Sequence, residues 1–119
     1  LATNPIFPAV ATESRIRWAG LAPETFAWYT TYENIGYCKP NPDYYREILR
    51  YLGCRAEDCL MVGNDVEEDM MAAQAAGLSV FLLTDCLLNR KEKDISSYPQ
   101  GDFDALLAFV EEWGGEASL

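Results

Sequence analysis

Cys59-Leu60-Met61-Val62-Gly63-Asn64-Asp65-Val66-Glu67-Glu68-Asp69 is the stretch that decides the fold. Four residues of apolar character closed by a glycine read as a short buried strand. Acidic residues follow at once, and then a small-residue helix, Met70-Met71-Ala72-Ala73-Gln74-Ala75-Ala76, that stops at Gly77. Strand, acidic loop and helix in succession put the carboxylates at the carboxyl end of a parallel strand, where open α/β sheets bind ligands. Asp65 and Asp69 are four apart, so a helix starting at Val66 or just before it lets both face one space. Oxygen ligands on such an edge suit a hard cation such as Mg2+, which keeps several waters and adds substrate phosphate. A second reading stands beside this one. Asp65 with Glu68 is also a capping box, and acids are favoured in a first helical turn by the helix dipole.

Outward from this stretch the chain alternates helices and strands. Residues 8–19 read as a helix, with Phe7, Ala11, Ser14 and Trp18 on one side and Gly20 at its stop. The aromatic and β-branched run 26–32 favours a strand. A loop with Gly36 and two prolines leads to a helix over 42–52, capped by Asn41, stopped by Gly53, with Tyr45, Ile48, Leu49 and Leu52 as its buried stripe. After the strand at 59–62 and the helix to Ala76 comes a strand at 79–83. Residues 84–101 read as irregular, with a turn at Pro99-Gln100-Gly101, and the last helix spans 102–113 before a frayed tail, 114–119. This order predicts an α/β fold: a parallel sheet covered on both faces, Rossmann-like, in three α/β/α layers. At 119 residues the chain holds one domain. It opens Leu1-Ala2-Thr3-Asn4-Pro5, without Met, as though entering near the end of a buried strand, and is expected to be a fragment.

Composition narrows the chemistry. Nine basic against nineteen acidic residues give a net charge of −10, which excludes a phosphate-neutralising nucleic-acid surface and disfavours an anionic membrane. No apolar run approaches the roughly 18 residues of a membrane span. The four cysteines show neither metal-ligand spacing nor a disulfide framework; Cys59 and Cys86 read as small hydrophobes. Reduced thiols and no leader place the protein in the cytoplasm. There is no histidine, so any catalysis must run on carboxylates, lysine, hydroxyls and a metal. The basic run at 90–93 reads as solvated surface.

Two further segments bear on the site. Thr3 and Asn4 would end a strand with a hydroxyl and an amide. Cys38-Lys39-Pro40-Asn41-Pro42 sets one lysine in a stiff loop directly before a helix. Hydroxyl, cation and acidic pair on one sheet edge make a phosphate site without its nucleophile. Each has a plainer alternative: Thr3 as a satisfied strand end, Lys39 as a solvated charge, Asn41 as a helix cap.

This order resembles the haloacid-dehalogenase-like (HAD-like) superfamily, whose members are mostly Mg2+-dependent phosphatases. Of that family's four motifs, Thr3 matches the second, Lys39 the third and Gly63 to Asp69 the fourth. The first, a strand ending Asp-x-Asp, is missing. Asp102-Phe103-Asp104 does not supply it, because it follows a polar turn and opens an amphipathic helix.

The resemblance implies that Thr3 and Asn4 contact a phosphoryl oxygen, that Lys39 neutralises the phosphoryl group and nucleophile, and that Asp65 and Asp69 hold Mg2+. Many members carry Asp directly after the glycine, where this chain has Asn64. Either Asn64 fills that place and Asp65 is extra, or the loop is shifted by one and Asp65 is the ligand; its charge favours Asp65. The fold is then expected to be incomplete, its central strand and attacking carboxylate lying in a missing N-terminal segment of the same protein. The complete protein is expected to hydrolyse a small phosphorylated metabolite through an aspartyl-phosphate, with residues 1–119 alone inactive. The alternatives are a non-catalytic metal- or phosphate-binding module dependent on a partner, or a receiver-type regulator.

Overall fold

A computed structural model describes the backbone of residues 1–117 and the side chains as far as Trp113. The chain divides into two compact units, Leu1–Lys39 and the remainder from Pro40.

In the first unit, α1 (Ala9–Trp18) begins after Pro8 and ends at Ala19. Its first turn borrows an acceptor from afar: the Glu33 carboxylate takes the Ala9 N–H at 2.9 Å. The buried residues of α1 are Thr12 and Ile16, whereas Trp18 is 82% exposed. The stripe expected through Phe7 and Trp18 is therefore corrected. The expected strand at 26–32 is also absent; this stretch is irregular. What remains of sheet pairing is one exchange with Leu1, whose N–H donates to the Trp28 carbonyl at 2.8 Å and whose carbonyl accepts from the Thr30 N–H at 3.2 Å. That is the slanted pattern of a parallel pair, reduced to a single residue, so Thr3 and Asn4 do not end a strand.

The second unit begins with α2 (Pro42–Leu52). Asn41 caps it by accepting from the Asp43 N–H, and Gly53 closes it at a φ of 67°, a left-handed conformation that glycine takes without steric cost. Tyr44 and Tyr45 are its fully buried residues, while Leu52, expected in the stripe, is exposed. The two tyrosine rings meet edge to face, centroids 5.0 Å apart.

The sheet has strand order β1-β2-β3 and is parallel throughout. β1 (Leu60–Gly63) runs beside β2 (Ser79–Leu83) with Leu60 opposite Ser79 and Gly63 opposite Leu82. Val80, Phe81 and Leu82 are buried in succession. Since neighbouring strand residues point to opposite faces, both faces of β2 are covered. Phe81 stacks at 5.1 Å on Phe109 of α4 (Phe103–Ala117). β3 (Gln100–Gly101) was read as a turn; it pairs with Leu82 and Leu83 instead. The backbone of α4 continues to Ala117, past the expected end at Trp113; Ser118 and Leu119 of the expected frayed tail lie outside the described residues. No helix is long and apolar enough to cross a membrane among the described residues.

Candidate functional site

β1 delivers the acidic loop to the carboxyl edge of the sheet. Asp65 is the cap of the helix that follows, its Oδ1 accepting from the N–H groups of Glu67 at 3.1 Å and Glu68 at 3.0 Å. The helix starts wide. Val66–Met71 is π-helical and passes into α3 (Ala72–Ala75), with the Asp65 carbonyl accepting from both the Asp69 and the Met70 N–H. That extra residue changes the cap. In an ordinary capping box the side chain at the third helical position reaches back to the cap N–H. Here the wider turn hands this role to Asp69, whose Oδ2 accepts from the N–H groups of Asn64 and Asp65, each at 3.1 Å. Glu68 instead gives its carbonyl to the buried Tyr45 hydroxyl at 2.7 Å, and burial pushes that phenol well above its usual range.

Asp69 lies directly on Gly63. A Cβ on Gly63 would come within 2.3 Å of the Asp69 Oδ2, so the glycine is what lets the carboxylate reach the loop.

The loop after β2 clasps the acidic loop from outside. Leu88 exchanges backbone hydrogen bonds with Asn64 and Val66, and the Asn64 Nδ2 donates to the Cys86 carbonyl at 2.7 Å. Because a carbonyl only accepts, that bond fixes the amide orientation. The Asn64 Oδ1 is thereby turned away from Cys86 and accepts no hydrogen bond among the described residues. The Arg90 guanidinium donates to Asp65 Oδ2 at 2.6 Å, and Lys91 pairs with Glu67 at 3.4 Å. The basic run was expected to be solvated surface balanced by nearby acids; Arg90 is exposed, and the acid it meets is a carboxylate only 5% exposed. No spacing rule finds a partner twenty-five residues away. The only signal was a surplus of acid at 65–69 with the nearest cationic pair following the next strand. Cys86, expected in apolar company, is exposed.

Burial would raise the Asp65 carboxyl, but the Glu68 N–H, Arg90 and the Glu67 N–H outweigh it and hold the group below its ordinary 3.8. A carboxyl depressed on folding contributes stability that is complete above its unfolded value and is lost as pH falls through its folded one. The stability difference between the wild type and Asp65→Asn is therefore expected to narrow as pH is taken from about 5 to about 3. Urea denaturation at several pH values reads this directly, and a difference independent of pH would mean the charge of Asp65 contributes nothing.

In the first unit the structure joins Asn4 to Lys39. The Asn4 Oδ1 accepts from the Lys39 N–H at 3.1 Å, and the Thr3 carbonyl accepts from the buried Thr30 hydroxyl at 2.5 Å. Asn4 thus shapes the backbone that carries the lysine. Asn64, Asp65 and Asp69 come together in the second unit.

A hard divalent cation can be tested against this donor set. The residues at the end of β1 offer oxygen donors, two carboxylates and an amide, which is the right kind for Mg2+. Asp65, however, already spends both oxygens on the helix cap and Arg90. No three Asp, Glu, His or Cys side chains converge as a cation site among the described residues. By donor type the set fits a hard cation.

Comparison with known proteins bears on the same residues. A family model described as HAD-hydrolase-like matches residues 36–99, spanning Lys39, the acidic loop and Arg90. Over 64 residues the chain is 39% identical to a glyceraldehyde 3-phosphate phosphatase from Methanothermobacter thermautotrophicus, covering 54% of this chain and 28% of that protein. It thus spans less than a third of that relative's length. Among solved structures, a 2-haloacid dehalogenase from Pseudomonas syringae pv. Tomato superposes with a TM-score of 0.65 at 27% identity, over 82% of this chain and 42% of that one. A HAD-superfamily hydrolase of subfamily IA from Geobacter sulfurreducens gives 0.56 at 24% identity, over 70% and 38%; at that identity the likeness is one of fold.

Proposed function

The chain belongs to the HAD-hydrolase-like family, and from that premise we propose that the protein carrying it is a Mg2+-dependent phosphatase of small phosphorylated metabolites, working in the cytoplasm through an aspartyl-phosphate. The observation that carries this reading is the end of β1, where Asn64, Asp65 and Asp69 gather oxygen donors, the Asp69 carboxylate accepting from the N–H groups of the other two. The 39% identity to a phosphatase that acts on a small phosphorylated aldehyde supports the substrate class. Four unpaired cysteines support a reducing compartment.

A bound Mg2+ would offset charge on the phosphoryl oxygens. Asn64 and Asp69 are the residues proposed to hold it, and Asp65 is proposed to keep the loop in place as its cap. Asn64 is thus proposed as the ligand where the sequence reading favoured Asp65 for its charge. Lys39 supplies a second positive charge for the phosphoryl group, on a backbone that Asn4 fixes. The Thr3 hydroxyl donates to a phosphoryl oxygen. The attacking carboxylate is assigned to a segment outside residues 1–119. Asp102 is unsuited to attack, since its Oδ1 accepts from the Ala105 N–H at 2.9 Å at the start of α4.

Phosphate release from a panel of phosphomonoesters tests the proposal. The full natural polypeptide is expected to turn over, to stop on chelation, and to lose about 10²–10³ in rate on Lys39→Met, the scale of one aimed electrostatic group. Residues 1–119 alone are expected to release none above buffer. Turnover indifferent to both chelation and Lys39→Met would defeat the mechanism. Cation binding without turnover in the full polypeptide would favour the non-catalytic module.

A further inference from the structure

We propose that a recess in the first unit, beside Asn4 and Lys39, takes the apolar part of a phosphorylated ligand, so that the substrates are phosphomonoesters of alcohols with an apolar body. The inference rests on the phosphatase reading above and narrows its substrate class. The recess holds about 390 Å³ and is lined by Pro5, Ile6, Tyr32, Ile35, Gly36 and Cys38. That volume lies within the range of small-molecule sites. Pro5 and Cys38 are the immediate chain neighbours of Asn4 and Lys39, and the Asn4 Oδ1 accepts from the Lys39 N–H at 3.1 Å. The recess therefore starts directly beside residues proposed to serve the phosphoryl group.

Its two walls are segments 4–7 and 32–39, fastened to each other twice. One link is the Asn4–Lys39 bond. The other runs from the Tyr32 N–H to the Phe7 carbonyl at 2.8 Å. Within the first wall the Ile6 N–H donates to the Asn4 carbonyl at 2.8 Å, a three-residue turn around Pro5 that fixes where Ile6 leaves the backbone. Asn34 sets the second wall, its Oδ1 accepting from the Thr31 N–H at 2.8 Å and its Nδ2 donating to the Tyr29 carbonyl at 2.9 Å. Glu33 is the one acid in either wall, and both its oxygens accept from the Ala9 N–H. No lining side chain is charged, and Lys39 is the one cation in the two walls. Ile6 and Tyr32 are nevertheless 62% and 70% exposed. Large apolar side chains held out by a fixed backbone leave area that an apolar ligand group covers with gain. A polyol would have to give up water there, and among the lining side chains only the Tyr32 hydroxyl and the weak Cys38 thiol could replace it. The chemistry that fits is anionic at one end and apolar at the other.

Phosphate release by the full natural polypeptide from ethyl, propyl and butyl phosphate tests this, because the three alcohols are nearly equal as leaving groups and differ in apolar length. kcat/KM is expected to rise about threefold per methylene, the scale of burying one, and so about tenfold from ethyl to butyl. Ile6→Ala and Tyr32→Ala should each pull that ratio down to about threefold or less, while Tyr32→Phe should keep it. A merely structural role for the two residues would lower both esters together and leave the ratio intact, which overturns their assignment to the recess. Turnover with no dependence on chain length in the wild type overturns the inference and leaves the phosphatase reading standing. If no ester is turned over, that reading fails, and calorimetric titration with ethyl- and butylphosphonate decides the recess on its own. Butylphosphonate binding about tenfold tighter, and losing that margin in Ile6→Ala, sustains it; equal binding, or none, ends it.

Discussion

Gly63→Ala is expected to destabilise the protein by about 1–3 kcal/mol, the scale of forcing atoms into a packed site, and to abolish cation binding. The added methyl group would sit 2.3 Å from the Asp69 Oδ2 and 2.6 Å from its Cβ. Backbone on both sides leaves no route for a small adjustment: β1 is fixed by its register against β2, and Asp69 is fixed in the π-helical turn. Asp69 must leave, and the Asn64 and Asp65 N–H groups then lose their shared acceptor. Thermal or urea unfolding, together with a Mg2+ titration, checks both halves. A variant of unchanged stability that still binds the cation would show that the close approach is not required.

Asp69→Asn is expected to reduce turnover of the full natural polypeptide by about 10³-fold, equivalent to about 4 kcal/mol of lost transition-state stabilisation. The substitution is nearly isosteric. Its amide oxygen can still accept from the Asn64 and Asp65 N–H groups, so the fold should persist with a smaller loss than that of Gly63→Ala. What disappears is the anionic ligand. Rate measurements over a range of Mg2+ concentrations separate the two roles: partial rescue at high Mg2+ indicates a ligand, whereas a rate that is normal at all concentrations makes Asp69 a cap residue only.

Local signals carried most of the second unit. Asn41 and Gly53 bracket α2 because a cap and a left-handed stop act within one turn. β2 falls on the apolar run Ser79–Leu83, and the acidic loop sits where strand and helix patterns meet. The failures have one physical origin, in that they depend on partners distant along the chain. Phe26 to Tyr32 has strand composition, yet a strand exists only with a neighbour, and here, among the described residues, it meets only an exchange with Leu1 and a single bond from the Tyr32 N–H to the Phe7 carbonyl. Gln100 and Gly101 look like a turn and become a strand because Leu82 and Leu83 supply a ladder. Trp18 shares a helix face with Ala11 in projection, but burial of α1 is decided by Thr12 and Ile16. At the site, Asp65 and Asp69 were legible as a pair, whereas their division of labour was not. It follows from one surplus residue in the first helical turn and from a guanidinium beyond the next strand, neither of which leaves a periodic trace. Lys39 and Asn4 were both named from the sequence, but the bond between them spans thirty-five residues.

The clasp of the loop after β2 also gives the molecule a proteolytic reporter. Trypsin cuts after Arg90, Lys91 and Lys93, all on this one exposed segment, but a protease needs its substrate stretched across several residues. The Asn89 side chain, bonded to both the Lys93 N–H and the Lys93 carbonyl, and the Arg90–Asp65 pair hold the segment bent. Cleavage must wait for the clasp to open, and when opening and closing outpace the protease, the rate of nicking measures how often it does so. The bonds that keep Asp65 in its cap therefore also set how long this loop survives digestion.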